Sequence, residues 1–287
     1  MSMTLVQVIA GGLLLGAVYA LFSSGLTLIW GMMNVINFAH GDFVMLGMYV
    51  AFLVWKLIGA GPAVSIPIAA LALATLGIVC YFLLIRHIKK GPMLAQILGT
   101  FGLALLLRYA TFWYFGANYE TLPDTLVGGT LQLGAIRIES SRLLAGLVAL
   151  LMTAGLHFLL THTALGSRML AVSEDAAAAE LMGIRPDHMQ ATAWALAAAA
   201  TGIAGALIAT FFYITPTVGE SLAIIAFVTV ALGGFGSVLG ALIAGLLIGV
   251  IESISAYAIG PVYKDIVVFA LFIGVLWLRP QGLLGQA

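Results

Sequence analysis

Residues 221–258 read SLAIIAFVTVALGGFGSVLGALIAGLLIGVIESISAYA, and Glu252 is the one charged side chain among them. A helix needs about 20 apolar residues to cross the hydrocarbon of a bilayer. The tract is therefore far too long for one crossing. It breaks at Gly233-Gly234-Phe235-Gly236-Ser237, which makes it two passes, or one pass plus a re-entrant piece. Seven further apolar tracts surround it: Leu5–Trp30, Phe43–Ile58, Pro62–Ile85, Met93–Phe115, Leu143–Leu160, Met189–Tyr213 and Val262–Leu278. The expectation is eight or nine crossings. All are helical, because lipid leaves no backbone polar group unpaired. The fold class is all-α: a polytopic membrane helical bundle with broken helices, forming a single transmembrane domain over residues 1–287.

Composition agrees. The 287 residues are 63% hydrophobic and 8% charged, against roughly 25% charged in soluble domains. A soluble chain this apolar could not cover its own surface. Net charge is zero and no basic run occurs, so nothing points to nucleic acid. Cys80 is the single cysteine, which excludes an intrachain disulfide. Met1 to Ala10 carry no Lys or Arg, whereas a cleaved signal peptide wants a basic start. The first tract reads as a retained membrane segment.

Basic residues set the orientation. Arg86, His87, Lys89 and Lys90 follow the third tract, Arg168 and Arg185 flank a polar stretch, and Arg279 follows the last tract. All fall on one side if crossings alternate and residues 221–258 count as two. The positive-inside rule makes that side cytoplasmic, and parity puts the N-terminus outside. The loop 116–141, with Glu120, Asp124 and Glu139, then lies outside. Alternation from Thr130 to Glu139 predicts a small hairpin around Gly134-Ala135.

Small residues recur four apart at Gly12/Gly16, Gly236/Gly240 and Gly245/Gly249, a spacing that lets helices approach closely within a bilayer. The two halves are loosely alike. Each carries a helix interrupted by glycine and polar residues, Gly31–Asp42 in the first and Gly233–Ser237 in the second. Transporters are often built from related halves with broken helices near the solute.

The first break reads Gly31-Met32-Met33-Asn34-Val35-Ile36-Asn37-Phe38-Ala39-His40-Gly41-Asp42. Polar groups inside a membrane are costly and face a cavity or a partner. Asn34, Asn37, Phe38 and His40 are therefore candidate pathway residues. The alternative is an ordinary surface turn, with Asp42 capping the next helix. Gln96 and Thr100, four apart on one helix face, are further candidates, against simple interhelical hydrogen bonding. Arg108 stands near enough to a helix end to snorkel. Glu252 is the carboxylate available to neutralise it.

No Ser-His-Asp arrangement has a recognisable elbow, and no His or Cys pair has metal-ligand spacing, so neither a catalytic nor a metal site is expected. None of Lys56, Lys89, Lys90 and Lys264 is followed by Ser or Thr. A P-loop is therefore missing, and ATP, if it drives this chain, is bound by another polypeptide.

Residues 162–188 hold Arg168, Glu174, Asp175, Glu180, Arg185 and Asp187, a dense cluster in a chain so poor in charge. Ser173 reads as an N-cap with Glu174 and Asp175 in the first turn. Ala176 to Ala179 continue the helix, Leu181 and Met182 close it, and Gly183 with Pro186 stop it. The expectation is a short acidic helix, Ser173–Met182, that docks a cytoplasmic partner; the alternative is a mere connector.

Three motifs in chain order carry a family resemblance. They are Gly16-Ala17-Val18-Tyr19-Ala20-Leu21 continuing through Gly25-Leu26-Thr27-Leu28-Ile29 to Asn34–Gly41; Thr163-Ala164-Leu165-Gly166-Ser167-Arg168 continuing to Leu181-Met182-Gly183-Ile184; and Gly233-Gly234-Phe235-Gly236-Ser237 with Gly240-Ala241. Over nearly its whole length the chain resembles the LivH-type permease subunits of bacterial ABC importers for branched-chain amino acids. The resemblance implies a multi-pass inner-membrane subunit without covalent chemistry. It also implies a second permease, LivM-like or a homologous copy, two ATPase subunits that bind ATP, and a periplasmic solute-binding protein. Ser173–Met182 would dock into the ATPase. Related permeases carry urea, short amides or aromatic acids, so these stay open as solutes. A gradient-driven carrier, a passive channel and a membrane enzyme are the rival classes.

Overall fold

The computed structural model describes residues 2–123, 128–133, 136–279 and 281–284. Eleven helices and one hairpin appear among them. In chain order they are α1 (Ser2–Met33), α2 (His40–Ile58), α3 (Pro62–Ile88), α4 (Met93–Phe115), β1 (Thr130–Leu133), β2 (Ile136–Glu139), α5 (Ser140–His162), α6 (Ala164–Glu174), α7 (Ala176–Leu181), α8 (Pro186–Ile208), α9 (Val218–Gly233), α10 (Val238–Ile259) and α11 (Lys264–Leu278). α3 contains a π-helical turn at Tyr81–Ile85. Seven helices are long and apolar enough to span a bilayer; α9 and α11 are shorter, at 16 and 15 residues.

Helix ends gather in two places. At one end, Arg86 of α3 and Lys89 just past its end pair with Asp187 of α8 at 3.0 and 2.7 Å. The Trp194 indole N–H reaches Met33 Sδ at 3.4 Å. The Leu283 and Leu284 amides donate to the Leu232 and Gly233 carbonyls. We call this the basic end. At the opposite end Glu120 pairs with Ile214 across an isolated bridge, and Gln7 donates to the Arg137 carbonyl. The first helix starts at the opposite end and the last described residues lie at the basic end. Among the described residues nine helices run along this axis, α1–α5 and α8–α11, and seven of them are long and apolar enough to cross a bilayer. The tract 221–258 divides at Gly234–Ser237, as its length and glycines require.

Glycines fix the helix contacts. α1 and α10 run antiparallel with Gly12 against Gly249 and Gly16 against Gly245. A methyl built on Gly12 would lie 2.7 Å from the Gly249 carbonyl, and one on Gly16 would lie 2.6 Å from the Gly245 carbonyl. The sequence spacing marks packing faces, and the two faces are each other's partners. α1, α2 and α8 form the centre, where Phe22, Phe43, Tyr49 and Trp194 are fully buried. α4 is peripheral. Its buried residues are Thr100, Ala104, Leu107 and Thr111, a single stripe at helical spacing.

The predicted hairpin forms, with Thr130 opposite Glu139 and Leu133 opposite Ile136. Its turn, Gly134-Ala135, and Asp124 lie outside the described residues.

Two helices begin inside the slab rather than at its surface. His40 Nε2 lies 2.7 Å from the Phe22 carbonyl, and Phe22 is eleven residues, about 16 Å, before the end of α1. Residues 34–39 therefore climb back into the bundle before α2 starts. The first turn of α9 meets α2 there: a methyl on Gly219 would lie 3.0 Å from Asp42 Cα.

Candidate functional site

The first break is held by its own polar groups. Asn34 takes a left-handed conformation, φ 52°, which an Asn tolerates better than most residues, and its side chain is exposed. Asn37 is buried, and its Oδ1 accepts from the Ala39 amide at 3.1 Å. His40 is buried against the Phe22 carbonyl. Phe38 packs against Phe227 with the rings tilted and their centroids 5.2 Å apart. The Thr100 hydroxyl lies 2.9 Å from the Ile36 carbonyl and 2.9 Å from the Gln96 carbonyl of its own helix, so its one proton is shared between them. Gln96 reaches the Lys89 carbonyl at 3.2 Å. Thr100 thus belongs to the break, whereas Gln96 closes the α3–α4 turn. Asn37 and Thr100 satisfy backbone groups that a non-helical segment leaves open, and His40 ties the start of α2 to the interior of α1.

The two glycine-rich breaks meet. The Gly236 amide donates to Thr27 Oγ1 at 2.8 Å, Trp30 and Phe235 pack at 4.6 Å, and Gly31 faces Gly236. Ser237 caps α10, its Oγ accepting from the Gly240 amide at 3.0 Å. Gly233 and Gly240 pack backbone to backbone. Gly234 and Gly236 have φ of 99° and 84°, which side chains other than Gly rarely adopt.

Charges inside the bundle differ from expectation. Arg108 does not snorkel. Its Nε and Nη2 donate to Asp42 at 3.1 and 3.3 Å, and its Nη1 donates to Glu220. Glu252 does not neutralise Arg108; it pairs with Lys264. The reason is depth. Arg108 stands 15 residues into α4, about 22 Å from the basic end, where an internal carboxylate is nearer than either surface. Glu220 was missed because it opens an apolar tract and reads as a helix start.

A cavity of about 840 Å³ opens among α1, α9, α10 and the 208–217 loop, lined by Tyr19, Phe211, Leu222, Glu252 and Lys264. A second, of about 780 Å³, lies at the basic end between Arg86, Lys89, Ala176, Glu180 and Arg185.

The polar stretch beside that second cavity is two helices, not one. Ser173 sits inside α6, its hydroxyl turned back to the Leu170 carbonyl at 2.7 Å, and Glu174 is the last residue of α6. Asp175 is the cap, accepting from the Ala177 and Ala178 amides at 2.9 and 3.0 Å. Its carboxylate reaches both orphan amides at once, as a good N-cap does. α7 ends in a Schellman turn: the Gly183 amide donates to Glu180 and the Ile184 amide to Ala179, with Gly183 at φ 81°. Ala179 is buried against Val172 and Met169. Leu181 and Met182 are 89% and 82% exposed, an apolar pair at the tip of a capped helix.

The family described as "Branched-chain amino acid transport system / permease component" matches residues 8–276. The chain is 31% identical to the high-affinity branched-chain amino acid transport system permease protein BraD of Pseudomonas aeruginosa, over 98% of this chain and 95% of that one. It is 31% identical to the corresponding permease protein LivH of Salmonella typhimurium, with the same coverage. It is 27% identical to LivM of Escherichia coli, over 93% of this chain and 68% of that one. Interrupted helices meeting inside an apolar helical bundle, and a match along almost the whole sequence, agree: this chain belongs to the branched-chain amino acid transport system permease family.

Proposed function

We propose that this chain is a permease subunit of a bacterial ABC importer and moves branched-chain amino acids inward by alternating access. ATP is bound and hydrolysed by two partner ATPases, and a periplasmic protein delivers the solute. The second permease is LivM-like or a homologous copy, since relatives of this chain bear both names. The bundle lies in the inner membrane with its basic end toward the cytoplasm, as its basic residues favour.

One observation carries the reading: α7 presents exposed Leu181 and Met182 at the basic end. A soluble loop would not hold two large apolar side chains in water on a capped, stopped helix without a partner. Behind them, Ala179 and Ile184 pack into a cluster with Leu28, Met32 and Ala193 of α1 and α8. A push on α7 reaches the end of α1, and from there the meeting point of the two breaks. The exposed residues Ala176 and Ala177 let a partner approach closely.

The test uses the complete complex in proteoliposomes. Leu181→Asp with Met182→Asp should abolish ATP-driven leucine uptake while the chain remains inserted. Uptake by this chain alone, without ATP, would overturn the reading and favour a gradient-driven carrier.

A further inference from the structure

We propose that the Arg108–Glu220 pair receives the zwitterionic head of the permeating amino acid, its carboxylate on Arg108 and its ammonium on Glu220. This rests on the permease reading above.

Depth is the first argument. Glu220 stands 13 residues before the end of α9, about 20 Å from the basic end, and Arg108 is level with it. Both lie within the roughly 30 Å hydrocarbon core. Exposure is the second. Asp42 is completely buried, but the Glu220 side chain is 60% exposed. An exposed carboxylate at that depth is costly against lipid. This face therefore meets water or a polar partner.

Chemistry is the third. Asp42 holds Nε and Nη2 of Arg108 and fixes the guanidinium plane. Nη1 is left for Glu220. An ion pair between one fixed cation and one accessible anion is what a zwitterion replaces term for term: carboxylate to guanidinium, ammonium to carboxylate. Charge is conserved in the exchange, so the buried Asp42 is never left unpaired. Ile224 and Phe227 follow Glu220 on the same helix face at i+4 and i+7. Ile224 is 47% exposed, and Phe227 lies against Phe38. They offer an apolar wall to a short branched side chain. The 840 Å³ cavity uses the other face of α9, through Ser221, Leu222 and Ile225. Its Glu252–Lys264 pair joins a buried carboxylate of α10 to the first turn of α11 and makes no contact with Arg108 or Glu220.

The experiment uses the full importer with Cys80→Ala and Ile224→Cys, a water-soluble maleimide and leucine as probe. Leucine is expected to slow labelling of the new thiol. Adding Glu220→Gln should weaken that protection about tenfold or more, since a charge-assisted hydrogen bond is worth about 1.5–3 kcal/mol. A thiol closed to the reagent overturns the proposal, because the face is then covered by lipid or by a cation of the second permease. Labelling that ignores leucine, with wild-type uptake in the Glu220→Gln importer, overturns it equally. If the unaltered complex shows no ATP-driven leucine uptake, the permease reading fails and takes this proposal with it.

Discussion

Lys89 Nζ lies 2.7 Å from Asp187 Oδ1, tying the end of α3 to the first turn of α8. Asp187 also accepts from the Tyr81 hydroxyl at 2.9 Å and pairs with Arg86 at 3.0 Å. The Lys89 ammonium reaches Gln190 as well. One carboxylate thus collects two cations and a phenol beside the turn that leads out of α7. The Lys89 side chain is 12% exposed and that of Asp187 is 34% exposed, so the pair is shielded better than a surface bridge. Asp187→Ala should lower stability in detergent by about 1–3 kcal/mol, read as an earlier thermal unfolding. The exchanged pair Lys89→Asp with Asp187→Lys should recover only part of it, because Arg86 and Tyr81 stay behind.

The α1–α10 contact predicts a graded response at glycine. Gly16→Ala drives a methyl into the Gly245 carbonyl, a backbone atom that cannot rotate away. Overpacking of this kind costs about 1–3 kcal/mol. Gly11→Ala, with nothing within 4 Å of the new carbon, should be neutral. Thermal unfolding of both variants, side by side, separates helix approach from helix propensity.

The cap of α7 gives a sharper contrast. Asp175→Ala removes the acceptor for two amides and should weaken the helix by about 0.5–2 kcal/mol. Ser173→Ala removes only a bond back to its own helix and should be nearly silent. Hydrogen exchange at the Ala177 and Ala178 amides reports the cap directly. In the assembled importer, Asp175→Ala should lower uptake per ATP hydrolysed, and Ser173→Ala should not.

Much of the architecture is legible in the chain, because a bilayer forces apolar length, helical backbone and basic asymmetry onto the sequence. The division of residues 221–258, the grouping of Arg86, Lys89 and Arg185 at one end, and the Gly183 stop all follow from local rules. What is not legible depends on depth. Arg108 looks like a snorkelling residue until Asp42, 66 positions earlier, is brought beside it by the interrupted start of α2. Ser173 looks like a cap until the preceding segment proves helical through Glu174, which hands the cap to Asp175. Thr100 looks like a helix-packing hydroxyl until residues 34–39 rise inside the bundle and put the Ile36 carbonyl within its reach.

That last contact supplies a test of the break itself. The Ile36 carbonyl lies in a segment without helix or sheet partners, and the Thr100 hydroxyl lies 2.9 Å from it, with the Gln96 carbonyl of its own helix at the same distance. Thr100→Val keeps the shape and removes the donor, leaving a carbonyl with one partner fewer in a low-dielectric setting, at a cost of about 1–3 kcal/mol. Thr111 offers the control. It lies on the same buried stripe of α4, yet its hydroxyl bonds only the Leu107 carbonyl of its own helix, so Thr111→Val should be near neutral. The expected outcome is faster hydrogen exchange across residues 34–39 and slower leucine uptake in Thr100→Val alone. Equal behaviour of the two variants would show that Thr100 is an ordinary packing residue and that the break stands on Asn37 and His40 without it.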